Sequence, residues 1–362
     1  MSSFQSLPVP AQEFAGSLLS WYDRNRRALP WRDDPHWYRV WISEIMLQQT
    51  TVKAVVPYFN AFLSRFPDVQ TLATAREADV LALWAGLGYY TRARHLHEAA
   101  RIICSRFGGT LPADYRAVLA LPGIGRYTAG AILSIAFGLP YPVVDGNVRR
   151  VLARYTGFMA AWTSNSTRAL WDLLTEVVNH QAVVARVGDF NQALMELGAT
   201  VCTQRNSNCE RCPLASSCVA RRLSMQDSLP RRRPARPSVV LDCVVVLLRQ
   251  GERILMHVNR DGPFPRDLWE LPRITGLPDR DLEQHFAKEH GLLLKVGTVV
   301  KTVAHLITHH RIRIHVVEAS LQHTSIPDEY RWIDPNEPEV GLSGYVRKVL
   351  RGLAHPVHAA AD

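Results

Sequence analysis

Two carboxylates and a group of thiols carry the chemistry this 362-residue chain could perform. Glu44 sits in VWISEIMLQQT (40–50), amid Trp41, Ile42, Ile45, Met46 and Leu47. Burial disfavours a charged carboxylate, so apolar company should raise its pKa and suit it to act as a general acid near neutral pH. Asp145 stands alone in an apolar surround near the end of LPGIGRYTAGAILSIAFGLPYPVVDGN (121–147). That stretch opens on a turn with Gly123 and Gly125, where the missing Cβ atoms let a partner approach the backbone N–H groups. A small-residue helix should start near Tyr127, so these groups are also its unsatisfied first-turn donors, which favour an anion such as a DNA phosphate. Plainer readings are a common Pro-Gly-x-Gly turn, a helix cap at Asp145 and a surface glutamate on one helix face. A phosphate anchor followed by a carboxylate in an apolar setting points instead to chemistry on DNA.

Four of the six cysteines, Cys202, Cys209, Cys212 and Cys218, follow Cys-x6-Cys-x2-Cys-x5-Cys spacing. Zinc also takes four thiolates, but usually as two CxxC-like pairs separated by a longer loop. A single CxxC on one compact loop directly after a helix is what a cuboidal iron–sulfur cluster permits. The spacing favours a 4Fe-4S cluster and leaves zinc open. Cys104 and Cys243 stand alone in apolar contexts and read as free thiols.

The elements that must position these groups follow from hydrophobic periodicity. Residues 11–222 read as helix after helix, separated by turn signals such as GGTLPAD and GLPYP, with no βαβ alternation. Residues 224–238 are rich in arginine and proline and read as an extended, solvated linker. Beyond it, SVVLDCVVVLLR and ERILMHVNR look like paired strands, LPDRDLEQHFAKEHG like a helix, and KVGTVVKTVAHLITHHRIRIHVVEASL returns to strands. The expected domains are therefore a mainly α domain over 1–223, a linker over 224–238, and an α+β domain over 239–362. A net charge of +9 suits a polyanionic partner. No stretch approaches the ~18 apolar residues of a membrane span, and no secretory signal opens the chain, so a cytoplasmic location with no membrane partner is expected.

The LPGIG hairpin, the VVDGN downstream and the cysteine spacing together resemble the endonuclease III superfamily of base-excision glycosylases. Within it, LPWR (29–32), VWISEIMLQQT (40–50), GLGYYTRARHLH (86–97) and FNQALMELGA (190–199) resemble the MutY-type adenine DNA glycosylases. The resemblance implies a helix–hairpin–helix glycosylase domain with an iron–sulfur cluster loop, and a flipped base in a cleft. It implies that Glu44 protonates adenine N7 and that Asp145 stabilises the oxocarbenium sugar, electrostatically or through a covalent adduct, before water completes hydrolysis. Asn147 would support Asp145 or the water. Tyr127 stands where superfamily members that also cut the backbone carry a Schiff-base lysine, so the chain should leave the strand intact. Gln49 and Tyr89 would wedge into the duplex and Thr50 would touch the lesion pair. Leu47, Trp31, Arg27 and Gln192 would line or contact the adenine pocket. The expected partner is duplex DNA holding A opposite 8-oxoguanine or G, bound by a monomer.

The C-terminal domain resembles the Nudix fold that MutY enzymes use to read 8-oxoguanine. Its helix stretch QHFAKEHGL (284–292) has His285 and Lys288 where two metal-binding glutamates belong, which argues against pyrophosphate hydrolysis. Ile307, Thr308 and His309 align with the family's lesion-contacting Phe-Ser-His loop, so Thr308 and His309 are candidate contacts. Ile307 cannot stack as an aromatic would. The competing functions are a bifunctional glycosylase and AP lyase for oxidised pyrimidines, a non-catalytic iron–sulfur redox sensor, and a Nudix pyrophosphatase.

Overall fold

The computed structural model describes residue 4 and residues 6–231, 237–260, 264, 268–276, 281–307, 310–335 and 342–351. The chain divides into two units, Met1–Glu77 with Thr91–Ala235, and Ala78–Tyr90 with Arg236–Asp362. Among the described residues no helix is long and apolar enough to cross a membrane.

The helices run in the order α1 (Ala11–Asn25), α2 (Trp37–Leu47), α3 (Val52–Arg65), α4 (Val69–Thr74), α5 (Glu77–Trp84), α6 (Thr91–Phe107) and α7 (Tyr115–Leu119). They continue as α8 (Arg126–Phe137), α9 (Gly146–Thr156), α10 (Ser164–Val178), α11 (Gln181–Val184), α12 (Val187–Thr200) and α13 (Val219–Arg222). Phe14, Leu18 and Tyr22 of α1 share one core with Val148, Leu152 and Tyr155 of α9 and Phe190, Leu194 and Leu197 of α12. Small residues let these helices approach: a Cβ on Gly130 of α8 would stand 2.3 Å from the Pro142 carbonyl oxygen. A Cβ on Gly198 of α12 would stand 2.5 Å from Asn147 Cβ at the start of α9.

The second unit holds β1 (Val239–Leu247), β2 (Arg249–Gln250), β3 (Arg253–Val258), β4 (Trp269–Glu270) and β5 (Arg273–Thr275). Helix α14 (Leu282–His290), β6 (Leu294–Ile307), β7 (His310–Leu321), β8 (Tyr330–Ile333) and α15 (Gly344–Leu350) follow. One sheet has the order β5-β1-β7-β6, and β3 joins β2, β4 and β8 in another. Strand β1 lies parallel to β7 and antiparallel to β5. Its odd residues Cys243, Val245 and Leu247 enter one core with Tyr345 and Val349 of α15. Its even residues Val244 and Val246 enter another with Phe286 of α14. A strand covered on both faces reads as a continuous apolar run, which is why VVLDCVVVL shows no alternation.

Two expectations change. The segments read as paired strands, β1 and β3, lie in different sheets; the first segment reaches β3 through the short β2, with Arg249 opposite Ile254 and Gln250 opposite Arg253. Both segments are apolar enough for a central strand, and strand pairing is decided by what covers each face rather than by adjacency in sequence. The arginine-rich segment is also not solvated throughout. Leu229 is 2% exposed, and its carbonyl accepts a hydrogen bond from Arg154 Nε at 2.9 Å.

Candidate active site

Helix α2 buries nine of its eleven residues, and Glu44 is one of them. Its Oε2 has no hydrogen-bond partner among the described residues. Burial pushes the carboxyl up to about 7; the nearby Asp145 adds to the rise, while the Tyr127 hydroxyl and Arg32 oppose it. A buried acceptor without a partner is costly in a folded protein, so such a group marks a place where function outweighs stability.

Asp145 is the N-cap of α9: its Oδ1 accepts from the Val148 amide at 2.7 Å. Asp145 is thus a helix cap as well as a candidate for chemistry. Burial raises its pKa, opposed by the Val148 and Asn147 hydrogen bonds and by Arg150. Asn147 Nδ2 donates to Asp145 Oδ2 at 2.9 Å, and Arg150 Nη2 donates to Asn147 Oδ1 at 2.8 Å. Arg150 also donates to the carbonyls of Gly198 at 2.6 Å and Cys202 at 2.8 Å. The aspartate is therefore held by a polar chain that ends on the first cysteine of the loop. Tyr127 lies in the field of both carboxylates, which adds to the rise that burial causes in its own pKa. Its hydroxyl donates to Met195 Sδ at 3.1 Å.

The hairpin precedes α8, whose N-cap is Gly125, with no side-chain cap among the described residues. The two glycines serve different ends. Gly123 has φ +74°, and a Cβ there would stand 2.9 Å from His95 Cβ, so the fold itself requires glycine. Gly125 is exposed and has open space where a Cβ would point, so packing does not demand glycine there.

Three residues absent from the sequence expectations emerge around the site. Glu196, 1% exposed, accepts from Arg27 Nε at 2.6 Å and from Arg32 Nη2 at 2.8 Å. Arg27 is thereby committed to a carboxylate, and Arg32 is the guanidinium whose field reaches Glu44. Arg32 Nε also donates to Gln192 Oε1 at 3.2 Å. Arg92 Nη1 donates to the carbonyls of Ile45 and Met46 at 2.8 and 2.9 Å and to that of Gln48, capping the end of α2 that follows Glu44. The requirement of a helix C-terminus for a cation was the available signal, but no local spacing names which arginine meets it. Leu47 is half-buried and Gln49 exposed at that end, and Gln49 has φ 58°. Thr50 accepts from Arg92 Nη2 at 3.3 Å. Trp31 is 7% exposed and packs edge-on against Phe59. Tyr89 belongs to the other unit, where Ile307 ends β6; Thr308 and His309 lie outside the described residues.

All four cysteines of the loop line one cavity, together with Arg154, Ser207 and Gln226. Burial pushes the Cys212 thiol up to about 12. Arg154 Nη1 donates to Cys202 Sγ at 3.3 Å, so a guanidinium that is 2% exposed faces sulfur. Four converging thiols with a buried cation beside them fit a group that draws anionic sulfur ligands. Among the described residues, no three His, Cys, Asp or Glu side chains are grouped as a single-ion site.

Residues 42–176 match the HhH-GPD superfamily of base excision DNA repair proteins, and residues 243–352 match the NUDIX domain. The human adenine DNA glycosylase is 35% identical over 93% of this chain and 73% of its own length. The adenine DNA glycosylase of Buchnera aphidicola subsp. Schizaphis graminum is 44% identical over 72% of this chain and 74% of its own length. Among solved structures, a non-covalent endonuclease III–DNA complex superposes on 60% of this chain and 99% of that chain, with a TM-score of 0.50 at 20% identity, which establishes the shared fold. A helical HhH-GPD fold followed by a Nudix-like fold, with such relatives along most of its length, places the chain in the adenine DNA glycosylase family.

Proposed function

We propose that this protein is a monofunctional adenine DNA glycosylase of base excision repair, with DNA as its partner and adenine opposite 8-oxoguanine or G as its target. The observation that carries the catalytic assignment is Glu44, buried with an unpartnered oxygen and a carboxyl pushed up to about 7 beside Asp145. In its neutral form Glu44 donates its proton to adenine N7, and the C1′–N9 bond breaks with its electron pair leaving on the base. The sugar is left with oxocarbenium character, which the Asp145 carboxylate stabilises by charge or by a transient covalent bond. Water then adds at C1′, displacing Asp145 where a covalent bond had formed and passing its proton to the Glu44 carboxylate, and an abasic site remains. Two carboxylates with separate protonation states are what glycosidic cleavage demands. Tyr127 has no amine, so it forms no imine with the sugar, and the phosphate backbone is left whole.

In this assignment the first-turn amides of α8, behind Gly125, hold a phosphate. Gln49 and Tyr89 fill the space of the departing base, Thr50 touches the lesion pair, and Leu47, Trp31 and Gln192 border the adenine. Arg27, held by Glu196, is the remaining candidate wall or polar contact of the adenine pocket. Thr308 and His309 are the candidate lesion contacts of the Nudix-like domain. The four cysteines hold one 4Fe-4S cluster, with zinc the alternative; bound there, it cross-links the loop that receives Arg150 and Arg154. The domain limits are 1–223, 224–238 and 239–362, and the enzyme acts as a cytoplasmic monomer.

Incubating a duplex containing A opposite 8-oxoguanine, with and without subsequent alkali, tests this reading. Strand breaks only after alkali are expected. Breaks without alkali would mark a lyase, and an intact duplex after alkali would remove the glycosylase assignment.

A further inference from the structure

We propose that Arg347 is a positioning residue for Tyr89, holding the Gly86–Tyr90 turn in the backbone form that presents the wedge; this rests on the wedge role given to Tyr89 above. Residues 78–90, though they lie within the helical sequence, cluster with the C-terminal unit. Within the turn, Gly86 has φ 108°, Gly88 φ 74° and Tyr89 φ 52°. Tyr89 is one of only five non-glycine residues with positive φ among those described, and it is 58% exposed. A tyrosine resists this backbone region, and it stays there only when its surroundings over-determine the conformation.

Two hydrogen bonds bracket the strained residue. On one side Trp84 Nε1 donates to the Gly88 carbonyl at 3.2 Å. On the other, Arg347 Nη2 donates to the hydroxyl of Tyr90, a ring only 5% exposed, at 3.0 Å. Arg347 is a firm anchor because α15 is firm. Tyr345, Val346 and Val349 are fully buried, and Lys301 Nζ donates to the Val349 carbonyl at 3.1 Å and to that of Arg351. The terminal helix of the Nudix-like unit thus sets the geometry of the turn, so this unit contributes to base extrusion as well as to lesion reading.

The test uses the full chain and a duplex with 2-aminopurine opposite 8-oxoguanine, in which unstacking raises fluorescence. Arg347→Ala and Tyr90→Phe should each lower the unstacking equilibrium about tenfold, the worth of a charge-assisted hydrogen bond. The double variant should be no worse than either single one, because both remove the same contact. Arg347→Lys should recover part of the signal. Melting temperature should fall by no more than about a few degrees and affinity for undamaged duplex should stay at its native value, which separates positioning from general loss of structure. Tyr90→Phe, which keeps the ring, covers the case in which Arg347→Ala folds poorly. If Tyr89→Ala lowers unstacking while Arg347→Ala and Tyr90→Phe do not, or if their effects add, the positioning role is overturned and the wedge stands. If Tyr89→Ala itself leaves unstacking intact, the wedge assignment falls and the proposal falls with it.

Discussion

Glu44 carries a measurable thermodynamic signature at the scale of the residue. Its folded pKa lies above the ordinary 4.5, at about 7. The folded state therefore binds its proton more tightly than the unfolded chain does. The associated stability is complete below pH 4.5 and is lost as pH rises through about 7. Glu44→Gln, neutral at every pH, should match the native chain at low pH. Above pH 7 it should exceed the native chain by up to about 3 kcal/mol in urea unfolding. Parallel pH profiles for the two proteins would contradict the buried, uncompensated carboxyl. The same substitution should cut single-turnover adenine release by about three orders of magnitude with DNA affinity retained. Native activity should fall as pH rises through about 7, when the acid loses its proton.

At the scale of the element, the hairpin and α8 separate folding from binding within three residues. Gly123→Ala forces a Cβ into left-handed backbone at φ +74° and to 2.9 Å from His95. It should destabilise the helical unit by about 1–2 kcal/mol, read by denaturant unfolding. Gly125→Ala meets open space at ordinary φ, so stability should move by less than about 0.5 kcal/mol. If the first-turn amides of α8 hold a phosphate as proposed, the added methyl group should lower DNA affinity. Equal losses of stability in the two variants, or unchanged DNA affinity in Gly125→Ala, would refute this division of labour. Helix α9 shows a similar economy: the aspartate proposed for the reaction also caps it, and Asn147 and Arg150 in its first turns fix that aspartate's orientation.

At the scale of the whole molecule, hydrogen bonds tie the candidate site to the cysteine loop. Arg150 and Arg154 leave α9 and meet the loop at the Cys202 carbonyl and the Cys202 sulfur. Purified protein should be coloured and hold about four irons per chain. Cys212→Ser should lose iron, lower the melting temperature and weaken DNA binding. A colourless, zinc-loaded native protein would replace the cluster with zinc. The second unit keeps two cores of its own, one on each face of the β5-β1-β7-β6 sheet. Its unfolding should therefore survive loss of the metal as a separate transition.

Much of this was legible in the order of residues. Helical periodicity, the glycine spacing of the hairpin, the cysteine spacing and the apolar surround of Glu44 are local patterns, and local patterns survive without a fold. They brought out the two-part architecture, the candidate acid, the candidate aspartate and the cysteine loop. Other features depend on long-range pairing, which no local pattern encodes. Tertiary structure alone decided that β1 and β3 enter different sheets and that Leu229 is buried under Arg154. It also assigned Arg27 and Arg32 to Glu196 and gave Arg92 to the end of α2. The same holds for residues 78–90, helical in sequence yet joined to the C-terminal unit through Tyr90 and Arg347. Sequence names the groups that can do chemistry; burial and the partners that packing supplies decide in which protonation state, and in which pose, they stand.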